Sequence, residues 1–471
     1  MTTVLAESPD IERSTLAIEA DAADRITAAS PFDFRMRTTV GGGRDNIEVS
    51  GALAPTGNLT TLLSGTKLFR SGVAISADAS LGRSRGLGSL SLNQADSSVS
   101  IRVPLAGGRK GGAAAGIERS AEQSYRAALL DRSHVSALAV LQAVAGYWQY
   151  AAAQERLEIH RASAERAEVL VEVTRALIRA DERPASDLDL VTSNLANKRT
   201  AVSASEQGVI DARYALGLAM GLQADQLQGL GLPLTAFPAP GRVSERGPGV
   251  LPAVLVRMAI GARRDLAAAR ARRNGARLAW QGALHDLRPR WDVVATVGHT
   301  SVYLSPNQEK SATPLGTSGL NTFVQMRYEP IATNSAARGL ALRTETSYRT
   351  AAVAANDLTR RIGANVLAAT AALNNTASEV VIAQDAVRLS GRSVETEEAK
   401  LRLGLATLFD AILSTDALTS AQLRLTDARY RYAIALARLR FETGTLLQHN
   451  AGGVSAETHR VLTLELEGES Q

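Results

Sequence analysis

Few residues in this chain are placed for covalent or metal chemistry. The six histidines, His134, His160, His285, His299, His449 and His459, show no HxxxH or HExxH spacing, so no zinc-binding helix face is written here. Cysteine is absent, which removes disulfides, thiolate metal sites and cysteine nucleophiles. None of the lysines follows a glycine, so there is no Walker A loop with which to bind and hydrolyse ATP. GGRKGG, residues 107–112, resembles a phosphate cradle, but it stands where a strand must become a helix, and that chain geometry accounts for its glycines. What remain are aspartates beside two breaks between long helical stretches. Asp187 and Asp189 lie in ADERPASDLDL, and Asp410 lies in RLGLATLFD. An aspartate at such a break can accept hydrogen bonds from the first amides of the returning helix. These features point away from an enzyme and call for no cofactor or metal.

The elements that hold those aspartates are unusually long. From about Gly111 to Arg179, and again from about Ser335 to Leu403, there is no proline, and apolar residues recur at helical spacing, as in Leu138, Leu141, Val144 and Trp148. At 1.5 Å per residue each stretch would make a rod of about 100 Å. Each rod ends at its break, and a second helix returns to Gly221 or Gly444.

The chain is also written twice. The opening stretches SPDIERSTLAIEADAADRITAAS and RRDLAAARARRNGARLAWQGALHDLR both stop at a proline, Pro31 or Pro289, and pass into an alternating segment. Further on, SVSIRVPLA at 98–106 answers to FVQMRYEPIA at 323–332, and Ser124-Tyr125-Arg126 answers to Ser347-Tyr348-Arg349. Such self-similarity marks a duplicated supersecondary unit. It divides the chain into a first repeat over 1–222, a Pro- and Gly-rich linker over 223–250, a second repeat over 251–446 and a tail over 447–471.

Composition narrows the class. Only 4% of the 471 residues are aromatic, and much of the 45% that is hydrophobic is alanine, which suits close-packed helices in long thin layers rather than several thick cores. The net charge of +5 comes from arginines spread along helices beside Glu and Asp, not from a basic patch, and this argues against nucleic acid. No stretch of about 18 apolar residues suggests a membrane-crossing helix. MTTVLAESPD lacks the basic and apolar regions of a signal peptide, and LPAVLVR, 251–257, has no counterpart before Met1, so the expectation is a truncated or mis-assigned start.

Four segments alternate with a period of two. Phe32, Phe34, Met36 and Val40 face away from Asp33, Arg35 and Arg37, giving a strand over about 32–40; Val99, Ile101, Val103 and Leu105 do the same over about 98–105. Trp291, Val293, Ala295 and Val297, then Val324, Met326 and Tyr328, repeat the pattern. One apolar and one polar face suit either a half-buried soluble sheet or a membrane barrel with a wet lumen. Four strands per chain cannot close a barrel, so a barrel would need several chains. The Gly/Ser-rich stretch 41–97 reads as an enlarged outer loop or hairpin carrying a further alternating run, GVAISADASL.

The duplicated order, the SPDI and RRDL openings, the SYR segments and the motif Gly404-Leu-Ala-Thr-Leu-Phe-Asp410 together resemble the outer-membrane efflux proteins typified by TolC. The resemblance covers nearly the whole chain and leaves out the extreme N-terminus and the tail after about residue 446. It implies a mixed α/β membrane protein and a homotrimer. Twelve strands, four from each chain, would form one β-barrel in the outer membrane of a Gram-negative cell, continued by an α-helical coiled-coil barrel across the periplasm. In that family aspartates near the second-repeat tip face a pore constriction. Motif matching puts Asp410 at the first such position and Leu413 at the second, so a carboxylate ring would be followed by an apolar one.

In the first repeat, spacing and local sequence disagree. Asp187 stands as far before Gly221 as Asp410 stands before Gly444, whereas ASDLDL against ATLFDA favours Asp189. The family's glycine at this turn is replaced by Asp181 or Arg183. The turns are where the family meets its periplasmic adaptor, which makes Arg183, Leu403 and Gly404 candidate contacts. The expected role is a passive exit duct fed by an inner-membrane pump. The absence of cysteine, and so of a lipid anchor, favours type I secretion of a toxin-like protein by an ABC exporter over small-molecule efflux by a proton-driven pump. A periplasmic coiled-coil structural protein is the reading from a different class.

Overall fold

The computed structural model describes residues 2–49, 52–85, 91–107, 109, 112–240, 251–305, 317–330, 334–450 and 453–455. The far end of the linker, 241–250, and the tail beyond 455 lie outside them.

The two long helices are α3, Gly112–Arg179, and α8, Ser335–Arg402, each of 68 residues. The separation from Gly112 to Ser335 equals that from Arg179 to Arg402, and the same separation relates the two SYR segments. The duplication has therefore kept one register along both rods. The return helices are α4, Asp187–Ala219, and α9, Leu408–Thr443. They end at Gly221 and Gly444, which stand in the same register and both have positive φ, +80° and +74°. Short α1, Thr2–Glu7, and α2, Pro9–Ala29, open the first repeat; α6, Leu251–Ala262, and α7, Arg264–Asp286, open the second. A one-turn helix, α5, Ala224–Leu227, begins the linker.

One compact unit comprises Met1–Ala17, Leu129–Ala268 and Asn356–Gln471. Its core is thin and alanine-lined. Val140, Val144 and Trp148 of α3 pack with Val4, Ile11, Ala433 and Ala437, while Leu373 and Val380 of α8 pack on Leu425, Tyr432 and Leu436 of α9. The linker is part of this packing: Phe237 stacks on Trp148 with ring centroids 5.1 Å apart, and the Thr235 amide donates to the Tyr147 hydroxyl at 3.0 Å. Gly221 and Gly444 sit where the opening helices of each repeat change direction. A Cβ on Gly221 would collide with the Glu7 carbonyl, and one on Gly444 would lie 3.1 Å from the Ala262 backbone. By length and composition one stretch of α8 could cross a membrane, contrary to the sequence expectation. This helix nonetheless buries Ile362 and Val366 against α6 and α7, and Leu373 and Val380 against α9.

The second unit comprises Ile18–Ala128 and Ala269–Ala355 and contains the sheet. Its helix contacts repeat like the sequence. Arg25 of α2 lies over the Tyr125 ring at 4.7 Å, and Trp280, which matches Arg25 when the SPDI and RRDL openings are aligned, stacks on Tyr348 at 5.6 Å. The two SYR tyrosines thus hold the two opening helices in the same way. A Cβ on Gly282 would come within 2.8 Å of the Gly116 Cα, so α7 and α3 approach backbone to backbone.

The sheet corrects the strand count. It has six antiparallel strands in the order β1-β2-β3-β4-β5-β6, where the sequence suggested four per chain. These are β1 Phe34–Val49, β2 Ala52–Leu68, β3 Ala74–Arg85, β4 Ser91–Ala106, β5 Arg290–Ser305 and β6 Thr317–Glu329. Of the two readings of 41–97, an outer loop or a hairpin, the structure has the hairpin, placed within the sheet. The stretch lengthens β1 and β4 and inserts the hairpin β2-β3 between them, in continuous register from Phe34↔Lys67 to Ala74↔Arg102. The alternating run GVAISADASL became β3, whereas the alternation of β2 is blurred by Gly, Thr and Asn, which weaken the apolar/polar contrast on which strand recognition depends. The first strand also starts later than the alternation suggested. Pro31 initiates a 3₁₀ turn, Ser30–Phe32, and Phe32 is buried there, with Arg70 over its ring at 5.2 Å. At the strand-to-helix passage Gly107 and Gly112 both have positive φ; a Cβ on Gly107 would sit 2.7 Å from the Pro289 carbonyl. A separate short hairpin pairs β7, Gln448–Asn450, with β8, Gly453–Ser455.

Candidate functional site

The two helical breaks come together in the first unit. Leu408, the first residue of α9, is buried against Val171 of α3 and Val191 of α4, with Leu188, Leu401 and Ile412 around it. This small cluster joins the hairpins of both repeats at their turns. On top of it, the Arg183 guanidinium donates to the Ala406 carbonyl at 3.3 Å and lies 3.7 Å from the Asp187 carboxylate. Lower down, Lys198 of α4 pairs with Asp416 of α9, a second tie between the returning helices.

The second-repeat turn is closed by its own residues. Gly404, with φ +72°, reverses the chain, and Thr407 caps α9. The Asp410 amide donates to Thr407 Oγ1 at 3.2 Å, and the Thr407 amide donates to Asp410 Oδ2 at 3.0 Å. The Thr407 hydroxyl also donates to Oδ2 at 2.6 Å, and these bonds satisfy amides that a bare helix start would leave unpaired. The hydroxyl and then the backbone bond from Thr407 hold the Asp410 carboxyl below the ordinary carboxylate range. Asp410 is therefore an exposed anion whose orientation is fixed by a cap. The signal Thr-x-x-Asp stands in the sequence, but Thr407 is recognised as its partner only once the helix start is known to be Leu408.

The first-repeat turn closes differently. Asp181 adopts φ +55°, a left-handed conformation costly for a residue with a Cβ, at the position that matches Gly404 in the repeat register. Asp181, not Arg183, therefore replaces the glycine. Asp187 is the first residue of α4 and takes the position that matches Asp410, while Asp189 lies one half-turn further on and is exposed. Ser186 makes no capping bond through its side chain; Pro184 occupies the position of Thr407 and supplies no side-chain oxygen.

Around these turns the apolar side chains of Leu403, Leu405, Phe409 and Leu413 are all more than half exposed. The sequence singled out Leu403 as an adaptor contact and Leu413 as a pore position, and it singled out neither Leu405 nor Phe409, since helical periodicity alone assigns them no face. Exposed apolar patches of several large side chains are a common mark of interaction surfaces. The sheet in the other unit has a matching character. Phe34, Met36 and Val40, Val99, Ile101 and Val103, and Leu320, Val324 and Met326 expose one apolar face, opposite Arg35, Arg37, Ser98, Ser100 and Gln325.

No family model matches the chain, and no curated protein matches it. Solved structures do. The chain is similar to the outer membrane protein VceC of Vibrio cholerae (TM-score 0.70, 13% identity, 94% of each chain covered). It is also similar to the CmeC outer membrane channel of Campylobacter jejuni (0.68, 12%, 94% of this chain and 84% of that one). A third is the open state of the MtrE outer membrane channel of Neisseria gonorrhoeae (0.66, 15%, 94% and 87%). The chain has the fold of TolC-type outer-membrane channels, at identities where fold alone is shared.

Proposed function

We propose that this chain is the outer-membrane exit duct of a tripartite export system, passing cargo received through a periplasmic adaptor from an inner-membrane pump. The observation that carries the proposal is one polypeptide combining an amphipathic antiparallel sheet with two helical hairpins of matched length, in the fold of known outer-membrane channels. Three copies form the working duct, with the sheet in outer-membrane lipid and the helices in the periplasm of a Gram-negative cell. The units of duplication are 1–222 and 251–446, joined by 223–250. The role is passive and involves no catalysis; the pump supplies the energy.

At the periplasmic end, Asp410 and Leu413 form the constriction: three fixed carboxylates favour cations, and the leucines narrow the apolar layer beside them. Asp187 supports the turn through Arg183, and Asp189 points elsewhere on α4. Leu403 and Gly404, with Arg183, form the adaptor contact, and the exposure of Leu403, Leu405 and Phe409 supports this reading. In planar bilayers Asp410→Asn, which keeps an acceptor for the cap, reduces cation over anion selectivity several-fold; unchanged selectivity removes Asp410 from the constriction.

The finer reading is type I secretion of a large protein with an ABC exporter. Comparing culture supernatants with and without this chain tests it. Loss of one abundant secreted protein supports that reading, whereas an unchanged supernatant with raised sensitivity to small toxic compounds supports efflux with a proton-driven pump. Recovery of the chain in the soluble periplasmic fraction would remove the duct reading altogether.

A further inference from the structure

Among the described residues, the outer strands of the sheet, β1 and β6, each pair on one side only. They run for 16 and 13 residues, and neither β1 over Phe34–Val40 nor β6 over Leu320–Met326 contains a proline or turns a charge onto the apolar face. Natural sheets guard such edges, with charge, bulges or a covering element, unless they are meant to pair. The face of Met36 and Phe34 can be followed across the intervening strands. In register it passes from Met36 to Gly65, Ala77, Val99, Val297 and Thr322; one step along it passes from Phe34 to Ile75, Ile101, Ala295 and Val324, with Lys67 of β2 interrupting that end row. Opposite it runs a polar face containing Arg37, Ser64, Asp78, Ser98, Gly298 and Asn321. From Phe34 to Val40 the band measures roughly 20 Å along the strand, about 15 Å of height at a strand tilt of about 40°, which falls within a lipid-facing belt of about 25 Å.

We propose that β1 of one copy pairs with β6 of the next, and that all six strands of each chain, including the inserted hairpin β2-β3, enter one closed barrel. The occupant of each edge is a second copy of this chain. Several features select it. Lipid cannot satisfy an open edge, so each unpaired row of N–H and C=O groups needs a strand. An even number of alternating strands makes β6 antiparallel to the neighbour's β1, so the hydrogen-bond pattern continues without a break. The same chain also brings an apolar face in line with the first, which an unrelated strand would not.

Resting on the trimer proposed above, the barrel has eighteen strands rather than the twelve that four strands per chain would make. Barrel diameter grows about linearly with strand number, so this pore is roughly one and a half times as wide at the membrane. Width at that level suits bulky cargo, while the constriction stays at the helical turns.

The test uses the absence of native cysteine. Met36→Cys is combined in turn with Leu320→Cys, Val324→Cys and Met326→Cys in the full chain, oxidised in intact outer membranes and run on denaturing gels, alongside strand counting by electron microscopy of the detergent-extracted unsubstituted particle. The expected result is a covalent trimer for at least one double variant and none for the single variants, with eighteen strands counted. A trimer with twelve strands and β2-β3 outside the wall overturns this inference and leaves the duct standing. A soluble particle with no barrel overturns both.

Discussion

The two repeats solve the same folding problem with different residues, and the difference is sharpest at their ends. In the second repeat the helical turn is self-sufficient, with a glycine for the left-handed position and a reciprocal Thr407–Asp410 cap. In the first, Asp181 takes the left-handed position at a cost and Pro184 replaces the capping threonine. That turn is held by Arg183, which reaches across to the Ala406 carbonyl of the other repeat. The opposite ends differ as well. Beside Gly444, Arg263 is buried in a fork with Asp265, at 2.7 and 3.0 Å, and with Glu442 at 2.5 Å. Beside Gly221, the equivalent of Arg263 is Ser8 and that of Glu442 is Ala219. Burial alone would lower the Arg263 pKa, but its bonds to Asp265 and Glu442 raise it; burial likewise opposes the Asp265 charge, and Arg263 overrides it. A duplicated element is thus free to lose a device in one copy as long as the other copy, or a contact between them, supplies the constraint.

Mutations can break this comparison in a graded way. Glu442→Ala leaves Arg263 short of a partner in a buried site and should destabilise by about 3–5 kcal/mol in denaturant unfolding of the detergent-solubilised protein. An equal effect from Ala219→Ser in the first repeat would show that the two junctions are not different after all. Next in size, Gly404→Ala should cost about 1–2 kcal/mol, because no side chain stands within 4 Å to be blamed and only the left-handed backbone resists. Asp181→Gly should move the other way or not at all, and a loss there would mean that the Asp181 side chain has a role of its own.

Thr407→Ala removes the cap and should cost about 1 kcal/mol, read as earlier proteolysis at the second turn. The smallest effect is on pH. Asp410 has a folded pKa below its unfolded one, so its contribution is complete above the ordinary carboxylate range and is lost as pH falls through the lowered folded value. Asp410→Asn should flatten the acid limb of the stability curve slightly, and an unchanged limb would show that the box does not act through the carboxylate charge.

Much of the helical architecture was legible before any coordinates. The absence of proline and the apolar spacing placed the two rods almost to their ends, and the SYR segments revealed a register that the structure extends over whole helices. The stretch 41–97 was legible only in part: GVAISADASL shows the alternation of β3, so a hairpin was one of two readings, but β2 carries Gly, Thr, Asn and Leu without a clear apolar/polar alternation, and its pairing could not be read. At the turns, Asp410 was found from a motif, yet its partner Thr407 was missed. The choice between Asp187 and Asp189 stayed open because two alignments of the same string were equally consistent.

What the sequence determined by itself is periodic: the helical rods, the duplication, the alternating strands and the poverty of catalytic chemistry all follow from which residue types recur at which spacing. Only the tertiary structure decided which residue takes the left-handed turn, which aspartate begins α4, how Arg183 bridges the two turns, and that six strands lie in register. These depend on contacts between segments far apart in the chain, such as Arg183 with Ala406, or on backbone hydrogen bonds that no side-chain pattern encodes.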